Sequence, residues 1–151
     1  MRQLNVRPAV ASERAALEAL QRRASLNNPG DREALLAHPE AIALPLSQIE
    51  AGGVFVAEVD GAIRGFAAIL PREDGESELD ALFVEPEAWR QGVGRALVEH
   101  CCAAARSAGC ASLHVVGNPH AEGFYKLCGF SVLGKRQMQF GVGLLMQRTL
   151  S

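Results

Sequence analysis

The 151-residue sequence predicts one mixed α/β domain, and three observations carry that prediction. The apolar residues switch several times between helical and strand spacing. The stretches between are short and marked by Gly, Pro, Asn and Asp, with no repeat, low-complexity tract or linker. A hydrophobic content of 48% with 21% charged residues suits a chain that buries a core, and this length encloses roughly 70% of the surface of the unfolded form.

Gln3 to Arg7 reads as the first strand. Ser12 is placed to cap a helix through about Arg23, with Ala16, Leu17, Leu20 and Ala24 at helical spacing. Asn27-Asn28-Pro29-Gly30 breaks that helix, and Asp31 starts another through His38. A short helical piece from Leu46 to Ala51 ends at Gly52-Gly53. The period then becomes two: Val54 to Val59 and Ile63 to Leu70 are strands around Asp60-Gly61, a strong hairpin signal. Pro71 to Ser77 is an acidic loop before a strand from Glu78 to Val84. Gly92 to Ala108 is a long amphipathic helix with Val93, Ala96, Leu97, Cys101, Ala104 and Ala108 on its apolar side, closed by Gly109. Ala111 to Val116 is a strand, and Asn118-Pro119 caps and opens a helix to about Cys128. After Gly129, Phe130 to Leu133 and Leu144 to Leu150 are the last strands.

A net charge of −2 gives no basic field for nucleic acid or an anionic membrane. No apolar run approaches the roughly 18 residues of a membrane span, and the start, MRQLNVRPAV, lacks the apolar core of a signal peptide. A soluble, cytoplasmic protein without nucleic-acid or membrane partners is expected. Cys101 and Cys102 are adjacent, Cys110 and Cys128 stand apart, and His38, His100, His114 and His120 are scattered. No zinc-ligand pattern results, and no metal is expected. The four cysteines are read as small buried hydrophobes, and His114 as part of an apolar strand.

Three segments carry chemical content. Arg90-Gln91-Gly92-Val93-Gly94-Arg95 lies between a strand and a helix. Its glycines allow a tight turn and close approach of a ligand, and the N–H groups and dipole of the helix start suit a phosphate or pyrophosphate. A plain strand-to-helix turn accounts for the same residues without a ligand. The G-x-x-x-x-G-K-[ST] loop is absent and the dinucleotide pattern G-x-G-x-x-G fails at Leu97, which favours a phosphate-bearing ligand other than an NTP or NAD. In the second segment, strict alternation puts Leu79, Ala81 and Phe83 on one face and Glu78, Asp80, Leu82 and Val84 on the other. Carboxylates on a central strand need water or a partner, so Glu78 is either a working group or the end of the acidic loop with Glu73, Asp74 and Glu76. Those loop residues themselves are read as solvated. The third segment, 118–130, holds the chain's one tyrosine, Tyr125. Taken singly, Tyr125 is a packed aromatic and Asn118 a helix cap.

Together, L-F-V-E-P at 82–86, R-Q-G-V-G-R-A-L at 90–97 and N-P-H-A-E-G-F-Y-K-L-C-G-F at 118–130 resemble the GNAT-type N-acetyltransferases in order and spacing. The resemblance is close over 78–133 and looser for V-A-E-V-D-G-A-I-R-G-F at 56–66. It implies a twisted, mostly antiparallel mixed sheet flanked by helices, whose central parallel strands splay in a V that takes acyl-CoA. It implies that the backbone of Leu82, Phe83 and Val84 pairs with the pantetheine arm, and that amides of Arg90, Gln91, Gly92, Val93, Gly94 and Arg95 hold the pyrophosphate. Asn118 would hydrogen-bond the cofactor near its reactive end, with Tyr125 facing the thioester sulfur. Trp89 departs from the pattern, standing where Arg or Gln is usual; binding through main-chain N–H groups survives that change. Glu78, six residues before Val84, matches the base glutamate of the histone-acetylating branch.

The implied activity is transfer of an acetyl group from acetyl-CoA to a primary amine, on a small molecule or peptide, in a ternary complex. An alkylamine with a pKa near that of lysine, about 10.4, is mostly protonated and needs a base. Glu78 is the choice on family spacing, with Asp80 beside it and their mutual repulsion improving one of them. A main-chain N–H of 82–84 serves the oxyanion. A phenol of pKa about 10 is a poorer acid than a thiol of about 8.5, so Tyr125 supports the leaving sulfur by hydrogen bonding unless its pKa is lowered. The alternatives are a silent acyl-CoA-binding regulatory module, against which Tyr125 and Glu78 both stand, and transfer of a larger acyl group. The acceptor pocket is expected from Arg22 to Ala37 and a hairpin at Lys135 to Gly143. Arg23, Ser25, Asn27 and Asn28 are candidates for reading a polar amine, and the acidic balance of 73–80 favours a cationic one. Monomer and homodimer both stay open.

Overall fold

The computed structural model describes residues 3–138 and 141–150. Among them the period-two runs form strands β1 Leu4–Pro8, β2 Val54–Val59, β3 Ala62–Pro71, β4 Ser77–Val84, β5 Ser112–Gly117, β6 Ser131–Met138 and β7 Gly141–Thr149. The period-3.6 runs form helices α1 Arg14–Leu26, α2 Pro29–Ala37, α3 Leu46–Glu50, α4 Val93–Ser107 and α5 Glu122–Leu127. The strands make one sheet in the order β1-β2-β3-β4-β5-β7-β6. Neighbours are antiparallel except β4 and β5, which run parallel. Asp60 and Gly61, both at positive φ, turn β2 into β3 as the hairpin signal predicts.

The parallel pairing is brief. Ser77, Glu78 and Leu79 of β4 lie against Leu113, His114 and Val115 of β5, and there the ladder stops. β4 runs on to Val84 while β5 ends at Gly117, so the two strands part. The mixed sheet with a central parallel splay is therefore present.

Buried side chains form a layer on each face of the sheet. Phe55, Ala67, Leu113 and Val115 pack with Val93, Leu97, Val98, Cys101, Cys102 and Ala105 of α4. Val54, Val56, Phe66 and Ala68 pack on the other face with Leu17 and Leu20 of α1 and Ile49 of α3. A fully enclosed leucine such as Leu17 or Leu97 contributes about 1.5–3 kcal/mol by burial. The α4 stripe is wider than expected and set differently. Val98, Cys102 and Ala105 are buried, whereas Ala108, at the helix end beyond the sheet contact, is exposed.

Four local expectations change. Ser12 makes no cap; a 3-10 turn spans Ala11–Glu13, and the Glu13 carboxylate, paired with Arg7, accepts the Val10 N–H at 2.9 Å. Glu76 is not merely solvated, because it accepts hydrogen bonds from the Ala111 N–H and from the N–H and hydroxyl of Ser112, pinning the start of β5. His114 lies in neither core layer and is half-buried, its Nε2 2.9 Å from Ser112 Oγ. β6 and β7 run longer than their apolar cores suggest, because polar Lys135 to Met138 still pair with Gly141 to Leu144. Residues 139–140, inside the expected 135–143 hairpin, lie outside the described residues.

The largest correction is in β4. Ala68 pairs with Ala81 but Ile69 with Leu79, leaving Asp80 as the extra residue of a β-bulge. Leu79 thereby joins Leu82 and Val84 on the α4 face, while Ala81 and Phe83 pack on the α1 face. Glu78 lines a groove with His114 and Arg136; Asp80 lines a different one and receives the Gln48 amide at 3.4 Å. Glu78 and Asp80 thus line different grooves and do not share the one face that the expected repulsion assumes.

Candidate active site

A strand that loses its neighbour exposes a row of backbone donors and acceptors. Leu82, Phe83 and Val84 pair with Ala67, Phe66 and Gly65 of β3 on one edge, and past Leu79 their other edge faces the gap left by β5. The three residues line a cleft of about 720 Å³.

The same cleft reaches the loop that starts α4. Arg90 and Gly92 both adopt positive φ, 65° and 85°, among residues of ordinary hand, an alternation that turns successive N–H groups toward one point. The first bond of the helix runs from the Ala96 N–H to the Gly92 carbonyl at 3.0 Å, so the N–H groups of Val93, Gly94 and Arg95 precede the helical ladder. Arg90, Gly92, Gly94 and Arg95 line the cleft. The Val93 side chain is buried in the core, and Gln91 turns its amide to the Glu87 carbonyl at 3.1 Å and is not part of the lining. Gly94 lies close against Phe124: a Cβ there would sit 3.2 Å from Phe124 Cζ. Trp89 also lines the cleft, and its indole Nε1–H donates to the Val84 carbonyl at 2.8 Å. Its place in the site is thus a cap on a carbonyl of the open strand edge.

Asn118 caps the turn before α5, its Oδ1 accepting the His120 N–H at 2.9 Å. The helix carries Tyr125 into the cleft, buried with 8% exposure and edge-on to Phe124 and Phe130. Gly117 leaves room for it; a Cβ there would lie 3.1 Å from Tyr125 Cε2. Burial pushes the phenol pKa up, with Cys128 and Asp31 adding to the effect. The hydroxyl therefore keeps its proton across the neutral range.

A second cavity of about 420 Å³ adjoins the cleft at Phe83 and Asp31, which line both. Gln21 and Ser25 of α1, Leu35 of α2, Val116, Asn118, Met138 and Val142 complete much of its wall. The two segments expected to flank an acceptor pocket do enclose a cavity. Of the polar run, Ser25 alone faces this cavity. Arg23 is held bidentate by Glu85, the Asn27 amide donates to the Arg23 carbonyl at 2.9 Å, and Asn28 lines the cleft. Asn118 also sits on this side, donating its Nδ2 to Asp31 Oδ1 at 3.1 Å. Sequence reasoning missed Asp31, whose partner lies 87 residues away and whose position reads only as a helix start.

Glu78 is brought to neither cavity. Its groove meets the second cavity only at Val116, which lines both. The four cysteines are free and buried, and burial pushes the Cys101 thiol up to about 12, which suits packing and not nucleophilic chemistry. Among the described residues no three His, Cys, Asp or Glu side chains gather as metal ligands, and no helix is long and apolar enough to cross a membrane.

Comparison with known proteins agrees with this geometry. A GCN5-related N-acetyltransferase from Rhodopseudomonas palustris shares the fold at a TM-score of 0.79 and 20% identity, covering 97% of this chain and 95% of that one. The protein yncA of Salmonella typhimurium, solved with acetyl-CoA, superposes at a TM-score of 0.72 and 20% identity, covering 99% and 95%. The peptidyl-lysine N-acetyltransferase YjaB of Salmonella typhimurium is 40% identical over 60 residues, so the match spans 40% of each chain's length. The sequence profile of the acetyltransferase (GNAT) family matches residues 17–130, the span that holds the splay, the loop and Tyr125. The chain belongs to the acetyltransferase (GNAT) family.

Proposed function

We propose that the protein moves an acetyl group from acetyl-CoA directly to the nitrogen of a primary amine, both substrates being bound together. The observation that carries this reading is the continuity of the cleft. One opening holds an unpaired strand edge, a loop of converging N–H groups and a buried phenol, and it meets a second cavity at Phe83. An extended amide-containing arm fits the edge of Leu82 to Val84 as a strand would, and a pyrophosphate fits the loop from Arg90 to Arg95. Acetyl-CoA supplies the activated thioester.

The residues then divide the work. A main-chain N–H of Leu82 to Val84 offers a fixed donor to the carbonyl oxygen as it gains charge. Tyr125, protonated, hydrogen-bonds the departing sulfur. Asn118, on the wall of the second cavity, holds the Asp31 carboxylate through its Nδ2–H. Family spacing nominates Glu78 as the proton acceptor, but its groove meets the second cavity only at Val116, so the reaction needs an acceptor nearer the reacting atoms.

The test is release of CoA thiol from acetyl-CoA against a panel of primary amines, with the N-acetyl product identified by mass. Amine-dependent release is expected. Tight CoA binding without turnover of any amine would mark the silent-binder alternative, and turnover only with longer thioesters would mark a larger acyl group.

A further inference from the structure

Asp31 occupies a position that neither the loop nor the strand edge explains. Among the described residues it is the single acidic side chain lining the 420 Å³ cavity and also the single one lining the cofactor cleft, so it stands where the two substrates meet. No Lys, Arg or His lines that cavity among the described residues, and Arg23 of α1 is held by Glu85. The surrounding wall is largely apolar, with Ala34, Leu35, Ile42, Val116 and Val142. A carboxylate offers about four acceptor sites, and the Asn118 amide fills one of those on Asp31. Among the described residues no cationic side chain forms an ion pair with Asp31, and a half-buried charge without a cation is costly.

We propose that Asp31 receives the ammonium group of the acceptor and takes its proton, and that the acceptor is a cationic alkylamine with an apolar stem. This rests on the acetyl-transfer reading above. The ammonium gives one proton to the Asp31 carboxylate. The free nitrogen bonds to the thioester carbonyl carbon and the carbon–sulfur bond breaks. A second nitrogen-bound proton passes to the sulfur, leaving an amide, CoA thiol and protonated Asp31. Burial pushes the Asp31 carboxyl up, against smaller opposing effects of the Asn118 hydrogen bond and His120, which makes it a stronger base than an exposed aspartate. The titratable groups facing it are His120 and Tyr125, with Arg90 and Arg95 further along the cleft.

The test compares Asp31→Asn and Asp31→Glu with wild type, using pentylamine, a lysine-containing peptide and methoxyamine, which is uncharged at neutral pH. Asn keeps the size and the acceptor for Asn118 while removing the charge. Because burial raises the Asp31 pKa, its charge destabilises the folded state relative to the unfolded one, so Asp31→Asn should melt no lower than wild type and bind CoA equally. For the alkylamines, kcat/KM should fall on the order of 10²-fold at neutral pH and recover as pH rises toward the amine pKa, about 10.4. Methoxyamine should lose only a few-fold, and Asp31→Glu should recover part of the loss. Whichever of pentylamine and peptide is turned over faster identifies the source of the alkylammonium. Equal losses for charged and uncharged amines, unchanged rates, or a larger pH-rescued loss in Glu78→Gln would each overturn the assignment. Turnover of no amine by wild type would remove the acetyl-transfer reading, and Asp31's role with it.

Discussion

Replacing Gly94 with Asp separates the cofactor site from the fold. A Cβ at this position lies 3.2 and 3.3 Å from Phe124 ring carbons and 3.7 Å from Val84 Cγ2. The half-buried Phe124 ring must give by a few tenths of an ångström, an overpacking cost of about 1–3 kcal/mol at most. Leaving glycine recovers a few tenths of a kcal/mol of helix propensity, and an acid in the first turn gains about 0.3–1 kcal/mol from the helix dipole. The fold therefore loses no more than about 2.5 kcal/mol. Binding loses more: a carboxylate about 5 Å from a phosphate charge, at an effective dielectric of about 20, is repelled by about 3 kcal/mol. That is about 10²-fold in Kd. Gly94→Ala carries the steric part alone. Calorimetric titration of CoA into the three proteins should show Ala within about tenfold of wild type and Asp a further 10²-fold weaker, on the order of the estimate above, with the gap shrinking as salt rises. Equal affinity of the Ala and Asp variants would refute the placement of pyrophosphate at this loop.

Tyr125→Phe keeps the ring contacts with Phe124 and Phe130 and removes the hydroxyl, so CoA affinity should hold while kcat falls about 10²–10³-fold; an unchanged chemical step would leave Tyr125 a packing residue. Trp89, the only tryptophan, lines the cleft beside Val84, so saturating CoA should shift its fluorescence; an emission spectrum indifferent to CoA would place the ligand elsewhere. Glu13, Glu76 and Glu99 have carboxyl pKa values lowered chiefly by hydrogen bonds from Arg7, Ser112 and Arg148. Their folded pKa values lie below the unfolded ones, so their stabilisation is complete above the ordinary glutamate range and lost as pH falls through the folded values. Melting temperature should be flat from neutral pH to about 5 and drop below about 4.5; a flat profile further into acid would contradict it.

The parts of the fold legible in the sequence are those set by local chemistry. The Asp60-Gly61 turn, the Asn118-Pro119 cap and the Gly92 start of α4 all stand where residue types place them, because each depends on a few neighbouring dihedrals. The bulge at Asp80 was not legible: its extra residue is visible only against the β3 register, and it moves Leu79 to the opposite face. For the candidate site, the family resemblance nominated the loop, the strand edge and Tyr125, all within a 44-residue stretch from Leu82 to Tyr125. It missed Asp31, because the pairing with Asn118 joins residues 87 apart in the sequence and follows no local pattern. Trp89 was legible as a departure but not as a hydrogen-bond donor, since the indole's partner is decided by the path of the loop after β4.

The account's central claim is direct acetyl transfer between two substrates held in adjoining cavities. Acetyl-CoA labelled in its acetyl group, incubated with the protein first alone and then with an alkylamine, tests it when the masses of protein and amine are both read. The predicted result is label on the amine nitrogen, in step with thiol release, with the protein's mass unchanged at every point. An acetylated protein that forms before the amine is added and then passes its label on would contradict direct transfer.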